Sequence, residues 1–584
     1  MTKMTPSEAL VETLESYGVE NLFGIVGSAF MDALDIFPAA GIRFIPTVHE
    51  QGSAHMADGY ARVSGKHGVC IAQNGPGITN FVTAIAAAYW AHTPVVAITP
   101  ETGSNSIGLG GFQETEQMSF FSKITKYQVN VPLSERMAEL TGRAFDMAMI
   151  EKGPSQLNIP RNLFYGEVDV DIPQPIKLDR GPGGLEAMKE AVKLISTAKF
   201  PVILSGGGVV MGGAIEEAKQ LAEYLGAPVV NSYLHNDSFP CDHPLWCGPL
   251  GYQGSKAAMR LISKADVVIA LGSRLGPFGT LPQFGLDYWP KEAKIIQIDS
   301  NAKVIGLVKK VGVGICADAK AWATKALEAL KESNVDCVST KQERLGKIQE
   351  EKKNWESELD AWTSEQDDWS KNQPSDEGFT IHPRQALRAM ENNMPDDVMV
   401  STDIGNICSV SNSYLRFKKP NSFFAAMSFG NCGYAFPTII GAKVAAPERP
   451  AVCYVGDGAW GMSFGEILTC VREKIPVTAV VFHNRQWGAE KKNQVDYYGR
   501  RFLGSELISP SFAKVAQAMG AEGITVDKIE DVGPAFAKSI EDQKAGKTTI
   551  LEIQCTRELG EPFRRDALKN PVRYLDKYKN YLNK

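Results

Sequence analysis

The sequence predicts an α/β protein with three doubly wound parallel-sheet domains. Short apolar runs alternate with longer segments of helical apolar spacing, which is typical of parallel sheets covered by helices on both faces. The alternation falls into three blocks, separated by a Pro- and Gly-rich stretch at 173–184 and a highly charged stretch at 341–371. A chain of 584 residues is long enough for three or four domains.

Domain boundaries are predicted where the composition changes. In the charged stretch, Trp355, Trp362 and Trp369 are seven residues apart, which predicts one stripe of a helix packed against a domain. The predicted units are an amino-terminal domain at 1–172, a central Rossmann-like domain at 184–335, a charged helical linker at 336–378, a third α/β domain at 379–555, and a tail at 556–584 for which we expect a lid function.

Composition excludes several classes of protein. A hydrophobic content of 44% and a charged content of 22% are ordinary for a soluble enzyme. A net charge of −6 and a pI near 5.9 argue against a nucleic-acid partner. The chain has no apolar run of membrane-spanning length, and its first ten residues lack a signal-peptide core. Ten cysteines without a CxxC pair are typical of reduced cysteines, so we expect a cytoplasmic protein.

In the first domain, Thr5 to Glu8 predicts a capping box that starts a helix, and Asn21 to Val26 predicts a strand that turns at Gly27. The run TVHEQGSAHMADGYAR, residues 47–62, predicts a strand end followed by a helix from Gln51 to Ala61. Glu50 stands at the junction between the two, where a parallel sheet presents its ligand-binding edge.

The most informative stretch is 451–488. Ala451 to Val455 predicts a buried strand, Gly456-Asp457-Gly458 a sharp turn, and Trp460 to Arg472 a helix. A second apolar strand ends just before Asn484.

Asp457 and Asn484 therefore follow two strands at the same edge, and their oxygens suit Mg²⁺ or Ca²⁺. The flanking glycines and a helix start favour an anion at the same place. A diphosphate that carries a divalent metal would fit both features.

These motifs together resemble those of the acetohydroxyacid synthase-like thiamine diphosphate (ThDP) enzymes. The resemblance rests on GDG with Asn484, on the run from His49 to Arg62, on NGPGITN at 74–80, and on GFQE at 111–114. It covers nearly the whole chain. It implies ThDP and Mg²⁺ as cofactors, with Glu50 as the carboxyl that activates the aminopyrimidine ring.

The resemblance also implies the other site residues. The metal ligands would be Asp457, the side chain of Asn484 and the backbone carbonyl of Gln486. Apart from the resemblance, we expect His49 or His55 to shuttle a proton. Cys432 occupies a position where the family carries a bulkier side chain beneath the cofactor. The remaining predicted cofactor contacts are Gly27, Asn74, Gly77, Gln113, Gly405, Gly430, Asn431, Gly456, Gly458, Ala459, Trp487 and Gly488.

In the central domain, GGGVVMGG at 206–213 is a loose dinucleotide-like turn and by itself a weak signal. Some family members hold FAD in this domain. The stretch after Gly276 departs from the FAD-holding pattern, so we expect no FAD here.

Within the family, the chain most resembles members that convert sulfoacetaldehyde and phosphate into acetyl phosphate and sulfite in taurine-type organosulfonate catabolism. Lys491, Arg500 and Arg501 are the predicted contacts of these anionic substrates. The alternatives are acetolactate synthase, phosphate-dependent pyruvate oxidase and a catalytically silent regulatory subunit; retention of Glu50 and Asp457 disfavours the last. In the family the two cofactor-binding domains face each other across two subunits, which implies a homodimer or homotetramer.

Overall fold

The computed structural model describes residues 2–333, 340–363, 379–426, 428–558 and 568–582. The predicted fold class is confirmed, since the described residues form three six-stranded parallel sheets with helices on both faces. A short antiparallel pair of strands joins the two ends of the amino-terminal domain.

The amino-terminal domain has the sheet order β3-β2-β4-β5-β7-β6. Thr5 forms the predicted capping box with Glu8. The strands are β1 Thr2–Met4, β2 Asn21–Gly24, β3 Arg43–Pro46, β4 Gly68–Ile71, β5 Val95–Glu101, β6 Tyr127–Asn130, β7 Ser155–Pro160 and β8 Val168–Val170. The helices are α1 Pro6–Ser16, α2 Met31–Ile36, α3 Glu50–Ser64, α4 Pro76–Thr79, α5 Val82–Ala91, α6 Gln117–Phe121 and α7 Met137–Glu151.

The central domain has the sheet order β11-β10-β9-β12-β13-β14, with Gly206 opening the turn after its first strand. Its strands are β9 Pro201–Ser205, β10 Val229–Asn231, β11 Trp246–Pro249, β12 Val267–Leu271, β13 Lys294–Asp299 and β14 Val313–Cys316. Its helices are α8 Leu185–Ser196, α9 Gly207–Met211, α10 Ile215–Leu225, α11 Lys256–Ile262 and α12 Ala319–Glu332.

The predicted linker contains one long helix, α13 Lys341–Trp362. The rings of Trp355 and Trp362 lie 5.3 Å apart at their centroids, and Lys256 of α11 sits 4.5 Å from the Trp362 ring centre. The predicted stripe thus packs the helix against the central domain. Trp369 lies outside the described residues.

The carboxy-terminal domain has the sheet order β16-β15-β17-β18-β20-β19. Gly456 pairs with Phe482, so Asp457 and Asn484 follow adjacent strands at one sheet edge, as predicted. The strands are β15 Met399–Thr402, β16 Phe423–Ala425, β17 Ala451–Gly456, β18 Thr478–His483, β19 Glu522–Val526 and β20 Thr549–Gln554. The helices are α14 Pro383–Glu391, α15 Asn406–Ser411, α16 Ala435–Ala445, α17 Asp457–Trp460, α18 Ile467–Glu473, α19 Gly488–Tyr497, α20 Phe512–Ala518, α21 Ile529–Lys544 and, in the tail, α22 Asp576–Leu582.

The predicted single helix from Trp460 to Arg472 is wrong, because the chain breaks it between α17 and α18. The apolar spacing that predicted it includes Met462, Leu468 and Val471, which are 61%, 45% and 39% exposed. Buried Ile467 and Cys470 set the face of α18 instead.

The amino-terminal and carboxy-terminal domains pack directly on each other through α3 and α16. A Cβ atom on Gly59 of α3 would lie 1.9 Å from the carbonyl oxygen of Thr438, and one on Gly441 of α16 would lie 1.9 Å from that of Met56. The helices therefore cross with their backbones in contact, and one apolar cluster spans both domains.

No helix in the described part of the chain combines the length and apolarity needed to cross a bilayer.

Candidate active site

Three helix starts meet at the carboxyl edge of the carboxy-terminal sheet. A Cβ atom on Gly488, at the start of α19, would lie 3.3 Å from Nδ2 of Asn406, at the start of α15. A Cβ atom on Gly458, in α17, would lie 2.8 Å from the ring of Trp487. Helix starts present unpaired backbone N–H groups, so this convergence favours an anion.

The predicted metal ligands lie together at this edge. The Asp457 side chain is buried, and its oxygens accept hydrogen bonds from the backbone N–H groups of Gly458 and Arg485. Burial raises the pKa of Asp457 to about 6. Asn484 and Gln486 are buried beside it. Hard oxygen donors around a desolvated carboxylate are what a divalent cation requires.

Two buried polar atoms support this fit. Oε1 of Gln486 and Nδ2 of Asn406 have no hydrogen-bond partner among the described residues. The described part of the chain also contains no group of three His, Cys, Asp or Glu side chains arranged to hold a metal. A cation at Asp457 would therefore depend on amide and carbonyl oxygens and on its own anionic ligand, which fits a metal diphosphate.

Glu50 is the first residue of α3. His49 caps the helix, its Nδ1 accepting a hydrogen bond from the backbone N–H of Gln51 at 3.1 Å. Nδ2 of Asn80 donates to Oε2 of Glu50 at 2.9 Å. A Cβ atom on Gly77 would lie 3.2 Å from Oε1, so the glycine leaves space for the carboxyl group.

A second polar group surrounds Gln113, which has a positive φ of 60°. Its side-chain oxygen accepts a hydrogen bond from Nε2 of Gln73 at 2.9 Å, and its backbone carbonyl accepts one from Nδ2 of Asn74 at 3.0 Å. A Cβ atom on Gly27 would lie 2.3 Å from Oε1 of Gln73. The predicted contacts Gly27, Asn74 and Gln113 are therefore neighbours, connected through Gln73.

The amino-terminal and carboxy-terminal domains of one chain also contact each other close to predicted site residues. Nε2 of His55, in α3, lies 3.1 Å from Nδ2 of Asn431, and Glu466 accepts hydrogen bonds from the backbone N–H groups of Val48 and His49. The expected arrangement, with Glu50 of one subunit serving Asp457 of another, stays a prediction. A homodimer or homotetramer stays a prediction.

His55 is fully buried, and burial lowers its pKa to about 3. The imidazole is therefore neutral at pH 7 and makes a weak base. Its ring also packs edge-on against Tyr434, with 5.2 Å between the centroids. These contacts favour a role in holding Asn431 over the predicted role in proton shuttling.

The loop from Gly430 to Gly433 is held by Asp403. This carboxylate accepts hydrogen bonds from the backbone N–H groups of Gly433 and Ala435, at 3.1 and 2.9 Å, and burial raises its pKa to about 6. Gly430 and Gly433 both have positive φ. Cys432 is half-buried. Its thiol has a pKa raised to about 12, and burial is the main cause. It is thus a protonated thiol at the predicted wedge position.

The predicted substrate residues have different environments. Lys491 is buried and forms an ion pair with Glu506 at 2.7 Å. Arg500 is exposed. The Arg501 guanidinium lies 5.4 Å from the ring centre of Tyr581 in the tail, which connects the tail helix to the basic segment. Arg564 and Arg565, which also fall in the predicted lid, lie outside the described residues.

Sequence reasoning missed four residues of this site: Gln73, Asp403, Asn406 and Glu466. Asp403 and Asn406 follow a strand in the same way as Asp457, so the same strand-end rule signals them. Gln73 immediately precedes a predicted contact. Glu466 carries no signal in the sequence, because its partner lies more than 400 residues away.

Comparisons with known proteins agree with this geometry. Residues 4–120 match the family model "Thiamine pyrophosphate enzyme, N-terminal TPP binding domain", residues 188–330 match its central domain, and residues 403–553 match its C-terminal TPP binding domain. The chain belongs to the thiamine pyrophosphate enzymes. Thiamine pyrophosphate is another name for ThDP, so the predicted family is confirmed.

Several curated thiamine pyrophosphate enzymes are similar over nearly their whole length. The sulfoacetaldehyde acetyltransferase of Castellaniella defragrans is 67% identical over 99% of this chain and 98% of its own. The sulfoacetaldehyde acetyltransferase of Alcaligenes xylosoxydans xylosoxydans is 66% identical over the same shares. The acetolactate synthase large subunit of Corynebacterium glutamicum is more distant, at 31% identity over 92% of this chain and 85% of its own.

Proposed function

We propose that this chain is a ThDP- and Mg²⁺-dependent acyltransferase that converts sulfoacetaldehyde and phosphate into acetyl phosphate and sulfite. The observation that carries the proposal is the 67% identity, over almost the whole chain, to a curated sulfoacetaldehyde acetyltransferase. The site geometry supports it independently of the name, because the carboxylate, amide and helix-start groups fit a metal diphosphate.

In this proposal the chain's residues bind the cofactor at both ends. Asp457, Asn484 and the carbonyl of Gln486 would hold Mg²⁺, and the three helix starts would bind the diphosphate oxygens. Glu50 would face the aminopyrimidine ring and exchange a proton with its ring nitrogen. When bound, ThDP would supply a nucleophilic carbon and an electron sink for a carbonyl substrate.

Asn431, held by His55, orients the aminopyrimidine from the other side. Gln113, held by Gln73 and Asn74, has a fixed amide orientation, because its oxygen already accepts a hydrogen bond. Its NH₂ group is then directed to donate to a substrate oxygen. Both contacts position groups before reaction, which lowers the entropic part of the barrier.

The substrates and the departing group are all anions, which the basic segment after Asn484 would balance. Arg500 and Arg501 are the stronger candidates for sulfonate and phosphate, because a guanidinium group can bind two oxygens of one anion at once. We expect Arg501→Ala to raise the KM for phosphate or sulfoacetaldehyde. An unchanged KM for both would remove Arg501 from the site.

No electrons are gained or lost in the overall reaction, so a flavin has no redox task, and we keep the prediction that FAD is absent.

A cavity of about 1680 Å³ borders the glycine turn of the central domain and is lined by Gly207, Arg274 and Asp299. A cytoplasmic location and a homodimer or homotetramer belong to the same proposal.

The test is incubation of the purified protein with sulfoacetaldehyde, phosphate, ThDP and Mg²⁺, with sulfite and acetyl phosphate both measured. We expect the two products in equal amounts, and neither when phosphate is omitted. Pyruvate is offered in parallel. Acetolactate from pyruvate, without sulfite from sulfoacetaldehyde, would establish the acetolactate synthase alternative instead.

A further inference from the structure

Glu466 joins the carboxy-terminal domain to the turn before Glu50 through one carboxyl group. It lies nine residues after Asp457, between α17 and α18, and is only 3% exposed. Its Oε2 accepts a hydrogen bond from the backbone N–H of Val48 at 3.2 Å, and its Oε1 accepts one from that of His49 at 3.1 Å. These N–H groups belong to the two residues immediately before Glu50.

The surrounding residues favour this geometry. The hydroxyl of Thr469 donates to Oε2 of Glu466 at 2.6 Å, which fixes the carboxyl plane. A Cβ atom on Gly52 would lie 2.3 Å from Oε1, so a side chain there would displace the carboxylate. The two N–H groups also lie at the positive end of α3, where a negative charge is stabilised.

We propose that Glu466 is a positioning residue for cofactor activation: it fixes the turn that carries Glu50 against the carboxy-terminal domain. The inference deepens the proposed function and rests on it in one respect, namely that Glu50 is the carboxyl facing ThDP. Glu466 itself touches neither substrate nor cofactor in this account. It acts through the backbone of Val48 and His49.

The chain offers a matched control. Glu473, at the end of α18, also contacts the amino-terminal domain, by accepting a hydrogen bond from Nη2 of Arg43 at 3.2 Å. Arg43 begins β3, whereas Val48 and His49 follow its other end. Glu473→Gln therefore weakens a different contact between the same two domains, and it leaves the turn before Glu50 unchanged.

The experiment measures hydrogen–deuterium exchange at C2 of ThDP bound with Mg²⁺, read by NMR after rapid quenching, with no substrate present. In Glu466→Gln the amide retains one acceptor oxygen and places an NH₂ group opposite the other backbone N–H. We expect exchange to slow by about tenfold, as for loss of a charged hydrogen bond. The dissociation constant for ThDP should change little, and Glu473→Gln should exchange at the wild-type rate.

A double-mutant comparison separates positioning from simple stabilisation. Glu50→Gln should slow exchange strongly, and adding Glu466→Gln should slow it no further. Wild-type exchange in folded Glu466→Gln, or full additivity with Glu50→Gln, would overturn the proposal. If Glu466→Gln does not fold, the same exchange measurements are made on Glu466→Asp, whose side chain is one methylene shorter.

Failure of the proposed function gives a different result. Normal exchange in Glu50→Gln would remove the activating role of Glu50 itself, and an absence of sulfite production would remove only the substrate assignment.

Discussion

Asp457 combines burial, a raised pKa and two backbone hydrogen bonds, and no cationic side chain is among its hydrogen-bond partners on the described chain. A carboxylate in this setting is stabilised in its charged form by a bound cation. The diphosphate and the metal are then expected to bind together, each providing charge that the other requires.

We therefore predict that Asp457→Asn weakens ThDP binding in the presence of Mg²⁺ by more than about 100-fold, since even residues that only support a ligand are worth about 10- to 100-fold. Titration calorimetry with and without EDTA measures this. Asp531→Asn, at an exposed site of the same domain, is the control and should bind normally. Equal affinities for Asp457→Asn and wild type would contradict the metal assignment.

His55 makes stability depend on pH. Its folded pKa of about 3 lies below the 6.5 that is usual for histidine, so the unfolded chain binds a proton that the folded chain excludes. The contribution is present above pH 6.5 and is lost as the pH falls toward 3, by up to about 1.4 kcal/mol per pH unit.

We predict that His55→Gln shows a shallower fall of the thermal unfolding temperature between pH 7 and pH 5 than wild type. Both are measured without added cofactor, so that binding does not contribute. Parallel curves for the two proteins would show that His55 accepts a proton in the folded state.

At the scale of elements, the α3–α16 crossing depends on glycine. A methyl group on Gly59 would overlap the carbonyl oxygen of Thr438, which is fixed by its helix. Because neither backbone can move without disturbing its own domain, the strain falls on the junction between the domains.

We predict that Gly59→Ala destabilises the protein by about 3 kcal/mol or more, at the upper end of overpacking effects. Gly346→Ala is the matched control: it lies in α13, where a Cβ atom would meet nothing within 4 Å. That change should be neutral or stabilise by about 0.5–1 kcal/mol. Differential scanning calorimetry of the two variants decides between them, and equal unfolding temperatures would contradict the close crossing.

The fold class and the placement of much of the candidate site could be predicted because they depend on local signals. Strand, turn and helix follow one another around Asp457 and around Glu50, and each signal lies within a few residues. The break between α17 and α18 could not be predicted, because Met462, Leu468 and Val471 mimic a buried helical face. The contact of Glu466 with Val48 depends on domain packing, which no local pattern encodes.

At the scale of the whole molecule, α13 connects the central and carboxy-terminal domains. Trp355 is buried against the rings of Phe284 and Trp362, and Glu356 pairs with Arg388 and Arg416 of the carboxy-terminal domain at 3.1 and 2.9 Å. The helix thus contacts both domains through apolar packing and through ion pairs.

We predict that Trp355→Ala destabilises this packing by about 3–5 kcal/mol, the usual effect of truncating a buried Trp. The expected result is faster cleavage within α13 in limited proteolysis. Asn354→Ala, on the exposed face of the same helix, should be cleaved at the wild-type rate. Equal cleavage of the two variants would show that the Trp355 contact contributes little.

The backbone contact between Gly59 and Thr438 also determines where the enzyme's substrate range can be engineered. A variant library should leave Gly59 and Gly441 unchanged. Any larger side chain at these positions would disrupt the packing of the two domains before it changed specificity. Diversity belongs instead in the loop around Gln113 and in the segment from Ala489 to Ile508, which contains the predicted substrate contacts.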